Sequence, residues 1–401
     1  MTKSAIMGFG TVGSGVYEII KKHNFEKSAN QDIEVGYILD IRDFDDEEIK
    51  PLLTKDFNDI LNDGDVTVVA EVMGGLHPAY EFTKALLEKG VSVVTSNKEL
   101  VATYGVELLE TAKNNNASYM FEASVGGGIP VIRPMTICTK ANEIKRIAGI
   151  LNGTTNYILN EMFTKGKEFS DALADAQAKG YAEKNPSADI EGHDACRKLA
   201  ILSSMAWGKF VDYNKIPTEG IVNITSDDVK CAEKMNSVIK LIGYAEADED
   251  GKIYARVSPM LVSKDIIISS VNDVFNAVMI KGDSLGDAMF YGRGAGKLPT
   301  ASAVVADMID CVRHFDSKKH NIVWETSQDE IMQDLGEKSV SAFIRCKDSK
   351  ENVQKYFDNI EYVDAINSEC AFIVKNIKEC ELMAKIKELN SVISHIRILE
   401  A

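Results

Sequence analysis

The chain has no apolar run that approaches the roughly 18 residues a membrane-spanning helix needs. Its first residues pass straight into a strand pattern, Ser4-Ala5-Ile6-Met7, with no basic-then-apolar leader. Neither a membrane span nor a secretory signal is expected, and the cytoplasm is the expected compartment. Cysteine is sparse: seven residues, an odd number, with no CxxC pair. That excludes a zinc ribbon or a thioredoxin-type motif and fits free thiols in a reducing compartment. None of the six histidines has metal-ligand spacing, which argues against a zinc-dependent enzyme. Positive charge is also short, 45 Lys and Arg against 61 Asp and Glu, for a net charge of −16. No basic patch is available to release phosphate counterions, so nucleic acid is not an expected partner, and an anionic membrane would repel the chain. Internal repeats and low-complexity runs are lacking too.

What is present is ordinary for a globular protein, 45% hydrophobic and 26% charged residues, in a length of 401 that implies two or three domains. The first stretch alternates short apolar runs with helical patterns. Strands are predicted over 4–8, 34–39, 66–72, 91–95 and 117–121, and helices over 12–22 and 79–88. That alternation indicates a parallel sheet with helical crossovers. From Ile129 to about residue 300 the pattern is less regular, with strands over 144–150 and 255–261 and a long helix over 194–207, an α+β arrangement. The last part has its own rhythm: strand 339–346, helix 350–357, strands 361–365 and 371–375, helix 380–389, strand 392–399. This βαββαβ order is the ferredoxin-like unit.

Gly8-Phe9-Gly10-Thr11-Val12-Gly13 is a GxGxxG between a strand and a helix. The first glycine permits the tight turn, the second lets the backbone approach a pyrophosphate, and the third lets helix and strand pack closely. The helix start formed by Thr11 and Val12 adds partial positive charge, which an acidic protein needs to hold a polyanionic cofactor. At the end of the second strand Asp40 would hold the ribose 2′-hydroxyl of NAD, whereas Arg42 would pair with the 2′-phosphate of NADP, so both cofactors stay open. Glu71-Val72-Met73-Gly74-Gly75 and Thr95-Ser96-Asn97-Lys98 close two further strands, where the nicotinamide half of the cofactor is expected. Lys98 stands where cofactor meets substrate.

In Glu122-Ala123-Ser124-Val125-Gly126-Gly127-Gly128-Ile129-Pro130, a carboxylate beside exposed carbonyls suits a hard cation, and an ordinary domain-crossing turn explains the spacing equally well. Asn152-Gly153-Thr154-Thr155-Asn156 opens a helix with small polar residues that suit a small polar molecule, although either threonine also serves as a plain helix cap. The richest segment is Gly180-Tyr181-Ala182-Glu183, continuing through Asp189 to Asp194 and Lys198. Asp194 and Lys198, four residues apart, share a helix face that continues into a buried pattern. Burial there would favour the neutral amine and suit Lys198 to proton transfer. His193 is expected on the solvent side.

The run GYAExNPxxDxxGxDAxxK, with NGTTNYIL, EASVGGGIP and Gly292–Ala303 (GRGAGKLPTASA), resembles the homoserine dehydrogenases over about residues 1–315. The resemblance implies an α/β Rossmann domain (1–130 and 300–316), an α+β catalytic and dimerisation domain (131–299), a linker (317–337) and an ACT-like domain of ferredoxin-like βαββαβ type (338–401). A late helix over 301–312 would return to the Rossmann domain. The implied activity is NAD- or NADP-dependent interconversion of L-homoserine and L-aspartate 4-semialdehyde, in threonine, methionine and isoleucine biosynthesis, by a homodimer or homotetramer.

Residue by residue, the resemblance implies that Lys98 and Lys198 flank the substrate and Asp194 supports Lys198. Glu183 and Asp189 hold the amino-acid end and the hydroxyl, and Gly153, Thr154 and Tyr181 line the pocket. Gly8, Gly10, Thr11, Val12, Gly13, Asp40, Arg42, Met73, Gly74, Lys98 and Gly296 contact the cofactor. Glu122, Val125, Gly127 and Ile129 form a loop for a monovalent cation, sodium or potassium. Arg293 stands where the family often has proline. In the ACT-like segment Lys347-Asp348-Ser349-Lys350-Glu351 lacks the Pro and Gly of the usual effector turn, which points away from threonine feedback and toward a role in assembly through edge strands. Two other readings compete: a Rossmann reductase for a different amino acid semialdehyde, and a nucleotide-sensing regulator without turnover.

Overall fold

The computed structural model describes residues 2–22, 33–314, 322–326, 330–364 and 369–400. Parts of the expected linker (317–321 and 327–329), and of the expected strand ending at Ala365, lie outside the described residues. The described chain divides into two compact units. The first comprises Met1–Glu143, Ala200–Asp212 and Phe290–Ser327, and the second Ile144–Leu199, Tyr213–Met289 and Gln328–Ala401.

The first unit opens with β1 (Thr2–Met7), α1 (Thr11–Lys22), β2 (Ile33–Leu39) and β3 (Leu53–Thr54). It continues with α2 (Phe57–Leu61), β4 (Val66–Glu71), α3 (Ala79–Glu88), β5 (Ser92–Thr95), α4 (Lys98–Asn114), β6 (Tyr119–Met120) and α5 (Ile132–Ile137). The strands form one parallel sheet in the order β3-β2-β1-β4-β5-β6. This is the doubly wound order of dinucleotide-binding folds, in which ligands sit beyond the carboxyl ends of the strands where the order reverses, here between β1 and β4. β1, β4 and β5 are almost wholly buried, as expected for strands covered on both faces.

The chain goes on through β7 (Ile144–Ile150), α6 (Gly153–Lys165), α7 (Phe169–Ala178), α8 (Ser187–Ile190), α9 (His193–Trp207) and α10 (Ser226–Lys234). Strands β8 (Ser237–Ala247), β9 (Ile253–Ser263), β10 (Phe275–Gly282) and β11 (Gly286–Arg293) follow, then α11 (Lys297–Arg313). Within the first unit α11 lies on α1, where a Cβ on Gly15 would meet the Ala301 methyl at 2.9 Å, and Val304 and Met308 join Val16 and Ile20 in one core. The last elements are β12 (Ser339–Cys346), α12 (Lys350–Val353), β13 (Ile360–Val363), β14 (Cys370–Lys378), α13 (Glu379–Leu389) and β15 (Val392–Ile398). They keep the βαββαβ order, with antiparallel neighbours β15-β12-β14-β13.

These four strands do not make a sheet of their own. A single nine-stranded sheet runs β11-β10-β7-β8-β9-β15-β12-β14-β13. The junction is a short parallel pairing, Arg397 with Met260 and Ile398 with Leu261. Leu399 then enters the core of Ile150, Ile242, Met260 and Val262. β15, one of the two edges of this four-stranded unit, is thus hydrogen-bonded within its own chain. Two buried charge groups reinforce the seam. Arg345 of β12 pairs with Asp228 of α10 at 3.0 Å, and Arg397 and Glu379 meet Arg256 of β9. Among the described residues no helix is long and apolar enough to cross a membrane.

Candidate functional site

In the first unit the turn from β1 into α1 is built for close approach. Gly8 has φ of 95°, and its N–H donates to the Leu39 carbonyl at 2.8 Å. A Cβ on Gly13 would stand 1.9 Å from the Gly8 carbonyl oxygen, so only glycine lets α1 start this close to the strand. At Gly10 the nearest atom to such a Cβ is an Arg42 nitrogen 4.0 Å away, which leaves the surface above the helix start open. No acidic residue lies in the first turn of α1, so the amides at Thr11 and Val12 face a ligand with the favourable end of the helix dipole. These features fit a dinucleotide pyrophosphate.

Asp40 and Arg42 form one group. Arg42 Nε and Nη2 donate to the two Asp40 oxygens at 2.9 and 2.8 Å, and the Phe9 N–H adds 2.7 Å. The Arg42 side chain holds the Asp40 carboxyl well below the usual carboxylate range. The acid expected to meet a ribose hydroxyl is therefore already engaged, and the guanidinium is the outer partner, 56% exposed and lying over the Phe44 ring.

At the ends of β4 and β5, Glu71 is wholly buried. It accepts from Thr95 Oγ1 at 2.6 Å and from the Met73 N–H at 2.9 Å, while burial raises its pKa. The Asn97 N–H donates to Thr95 Oγ1 at 2.9 Å, and its Nδ2 donates to the Gly75 carbonyl at 2.6 Å. The Asn97 carbonyl oxygen then caps α4 by accepting the Leu100 N–H at 3.1 Å. The network fixes the Met73-Gly74-Gly75 turn, with Gly74 at φ 84° and Gly75 at φ 73°, and sets Lys98 as the first residue of α4 rather than a strand end. Gly296, with φ of 127°, stands at the start of α11.

The loop carrying Val125, Gly127 and Ile129 packs backbone to backbone. A Cβ on Gly127 would lie 2.4 Å from the Gly294 carbonyl oxygen, and the Gly128 N–H donates to the Arg293 carbonyl at 3.1 Å. The Glu122 carboxylate does not face outward as a cation ligand. It accepts the N–H groups of Val131, Ile132 and Arg133 at 2.6, 2.7 and 2.7 Å, the first amides of α5. Among the described residues no group of three or more His, Cys, Asp or Glu side chains converges as a metal site. Asp307 of α11 accepts the Glu122 N–H at 2.9 Å and pairs with Arg133, and burial drives its pKa up to about 7.

In the second unit the chemistry gathers where β7 ends and α6 and α9 begin. Lys198 is nine-tenths buried, and its Nζ lies 2.8 Å from Asp194 Oδ2 and 2.8 Å from the Leu151 carbonyl oxygen. The i to i+4 spacing on α9 brings the pair together, as the sequence predicts. Asn152, which the sequence places only within a run of small polar residues, has a role of its own. Its Nδ2 donates to Asp189 at 2.7 Å and to Asp194 at 2.9 Å, and its Oδ1 caps α6 through the Thr155 N–H at 2.9 Å. An Asn just ahead of a helical run is an N-cap signal, and that signal was available. Thr154 Oγ1 donates to the Tyr181 carbonyl at 2.6 Å, so Thr154 and the exposed Tyr181 meet; Gly153 opens the helix. Glu183 is exposed and its backbone carbonyl accepts from Gln177, so its side chain is not drawn into the Lys198 cluster. His193 is exposed beside Glu191, on the solvent side.

Beneath α6, Lys240 of β8 is a second buried lysine. It donates to Asn156 Oδ1 at 3.0 Å, the Val271 carbonyl at 2.6 Å and Asn272 Oδ1 at 3.2 Å. Burial lowers its pKa to about 8. Together with Asn156 it holds the 271–275 loop against the helix that carries Gly153 and Thr154.

Two family sequence models match the chain, one described as the NAD binding domain of homoserine dehydrogenase over residues 8–122 and one as homoserine dehydrogenase over residues 130–309. A homoserine dehydrogenase from a Synechocystis species is 42% identical over 326 residues, 80% of this chain and 75% of that protein. The crystal structure of a homoserine dehydrogenase from Thiobacillus denitrificans superposes with a TM-score of 0.90 at 33% identity, covering 99% of this chain and 98% of that one. A hyperthermophilic archaeal homoserine dehydrogenase mutant in complex with NADPH gives a TM-score of 0.66 at 31% identity, over 78% of this chain and 98% of that one. By sequence model, by identity and by fold, the chain belongs to the homoserine dehydrogenase family.

Proposed function

We propose that the chain interconverts L-homoserine and L-aspartate 4-semialdehyde with NAD or NADP, with Lys198 managing the proton on the substrate oxygen. The observation that carries this is the buried amino group of Lys198, held by the Asp194 carboxylate and the Leu151 carbonyl, with Asn152 tying Asp194 to Asp189. When bound, the nicotinamide supplies or accepts the hydride. The protein's own part is to orient the substrate and to take the hydroxyl proton during oxidation, or return it to the aldehyde oxygen during reduction. Asp194 keeps Lys198 aimed, and Asp189 and Glu183 take the ammonium and hydroxyl of the amino acid. Gly153, Thr154 and Tyr181 supply the wall.

Gly8, Gly10, Thr11, Val12 and Gly13 would cradle the pyrophosphate, Arg42 would face the adenosine ribose, and Met73, Gly74, Lys98 and Gly296 would border the nicotinamide half. If the loop of Glu122, Val125, Gly127 and Ile129 takes sodium or potassium, its main-chain carbonyls must be the ligands, because the Glu122 carboxylate is committed to three amides. Strand order supports an ACT-like reading of residues 338–401. Its first helix start is closed by the chain's own groups: Ser349 Oγ accepts the Asn352 N–H, and Asp348 accepts from Asn352 and Ser391. That supports a module without an amino acid effector. Light scattering tests the expected homodimer or homotetramer.

Following reduced-cofactor absorbance with homoserine, first with NAD and then with NADP, at alkaline pH tests the activity. Saturable turnover with either is expected, and none with both would sink the reading.

A further inference from the structure

We propose that Glu219 is a positioning residue for the substrate site, and that arginine and glutamate side chains of the C-terminal βαββαβ segment hold it in place. The proposal rests on the assignment of Asp189, Asp194 and Lys198 to that site. Glu219 belongs to neither the substrate loop nor the motifs that carry the resemblance in the sequence, yet it is the bridging member of a closed group of charges. Arg256 Nη1 donates to Glu219 Oε1 and Arg397 Nη1 to Glu219 Oε2, each at 2.8 Å. Both guanidinium groups also donate to Glu379, from Arg256 Nη2 at 3.0 Å and Arg397 Nε at 3.1 Å. Arg256 and Arg397 are buried, 4% and 3% exposed, and so is Glu379 at 5%. Charges buried so deeply persist only with a full set of partners, and two planar forks over two carboxylates supply that set.

The main chain carries the consequence to the site. The Glu219 N–H donates to the Val257 carbonyl at 2.8 Å, and the Val257 N–H donates to the Pro217 carbonyl at 2.9 Å, which fastens this segment to β9. On its other side it is fastened to the end of α8. The Ile221 N–H donates to the Ile190 carbonyl at 2.8 Å, and a Cβ on Gly220 would lie 2.1 Å from that carbonyl oxygen. A Cβ on Gly192, where φ is 88°, would meet the Thr218 methyl at 2.9 Å. Residues 190–192 are the turn between Asp189 on α8 and Asp194 on α9. A shift of Glu219 therefore moves the backbone that spaces the two aspartates around Asn152. Two glycines remove the slack: each leaves room for contact and none for an added side chain.

The test is Glu219→Gln in the full chain, with Arg397→Lys as a second variant. The Glu219 side chain is 41% exposed, so the first change is tolerated by the fold. Amide hydrogen exchange over 187–194 is expected to accelerate by about fivefold or more while exchange in α10 and β12 stays unchanged. In steady state, KM for homoserine is expected to rise by about fivefold or more with kcat within about twofold, and cofactor affinity unchanged. Unchanged exchange over 187–194, or faster exchange spread evenly through the second unit, would overturn the proposal, and so would an unaltered KM. A wild-type protein that fails to oxidise homoserine would sink the functional reading, while the exchange result would still decide the coupling.

Discussion

On the proposed reading the two units hold their ligands with opposite materials. The cofactor cradle is made of main chain: glycines at Gly8 and Gly13 whose missing side chains create the surface, and amides at a helix start. The Lys198 cluster is made of side chains: a buried lysine, two aspartates and an asparagine that fix one another. A main-chain site resists changes of charge around it but not one added methyl group. A side-chain site tolerates neighbours of many shapes, but the loss of any charged member leaves another uncompensated.

This contrast can be broken most severely through the tail. A chain stopped after Glu337 loses Arg345, Glu379 and Arg397 together. Asp228 then loses its guanidinium partner, and Arg256 keeps Glu219 but loses Glu379. Breaking a buried pair in this way costs about 3–5 kcal/mol for Asp228 alone, against a total stability of about 5–15 kcal/mol for ordinary proteins. Truncation should therefore yield no cooperative urea transition for the second unit, whereas a soluble, active truncation would show the seam to be dispensable.

Next in size is Lys198→Ala, which should lower kcat by about a hundredfold or more while cofactor affinity by fluorescence titration stays within about threefold. A parallel fall in cofactor affinity would mean that the two sites are not chemically separate. Lys240 gives a smaller effect with a definite sign. Its folded pKa of about 8 lies below the ordinary 10.5, so between these values the unfolded chain binds more protons. Wild-type stability should therefore rise with pH across that window relative to Lys240→Met, by on the order of 1–3 kcal/mol in urea unfolding. A relative fall would mean that a carboxylate pairs with Lys240 in solution. The smallest change is expected for Asp40→Ser, which releases Arg42 and should shift the ratio of NADP to NAD affinities by about tenfold toward NADP.

The cradle was readable because its signal is local: GxGxxG between a strand and a helix needs no knowledge of the remaining fold. Lys198 and Asp194 were readable for the same reason, four residues apart on one helix. The network of Glu71, Thr95 and Asn97 was not, since it requires β4 and β5 to be neighbours, a fact of sheet order. The hold of Glu122 on the start of α5 was not legible for a similar reason, because the six-residue α5 that takes its carboxylate is too short to announce itself by periodicity. β8 escaped because its residues are buried on both faces and show no alternation, with Lys240 in their midst. The tail's element order came through from its periodic pattern. Its junction with β9 depends on only two residue pairs far apart in the chain, and no local pattern encodes that.

That junction also bears on how the protein comes to be folded. β9 is eleven residues long and nearly all buried, and at Met260 and Leu261 its edge is covered by β15 from the far end of the sequence. Pairings across such a span form late, because the intervening chain must first surrender its freedom. Until then an apolar strand stands with open hydrogen-bonding groups, a template for the same strand of another molecule. Refolding yield should consequently fall as protein concentration rises, with light scattering growing before activity returns. A charged substitution at Ser263, the partly exposed end of β9, should relieve the loss with little effect on the finished enzyme.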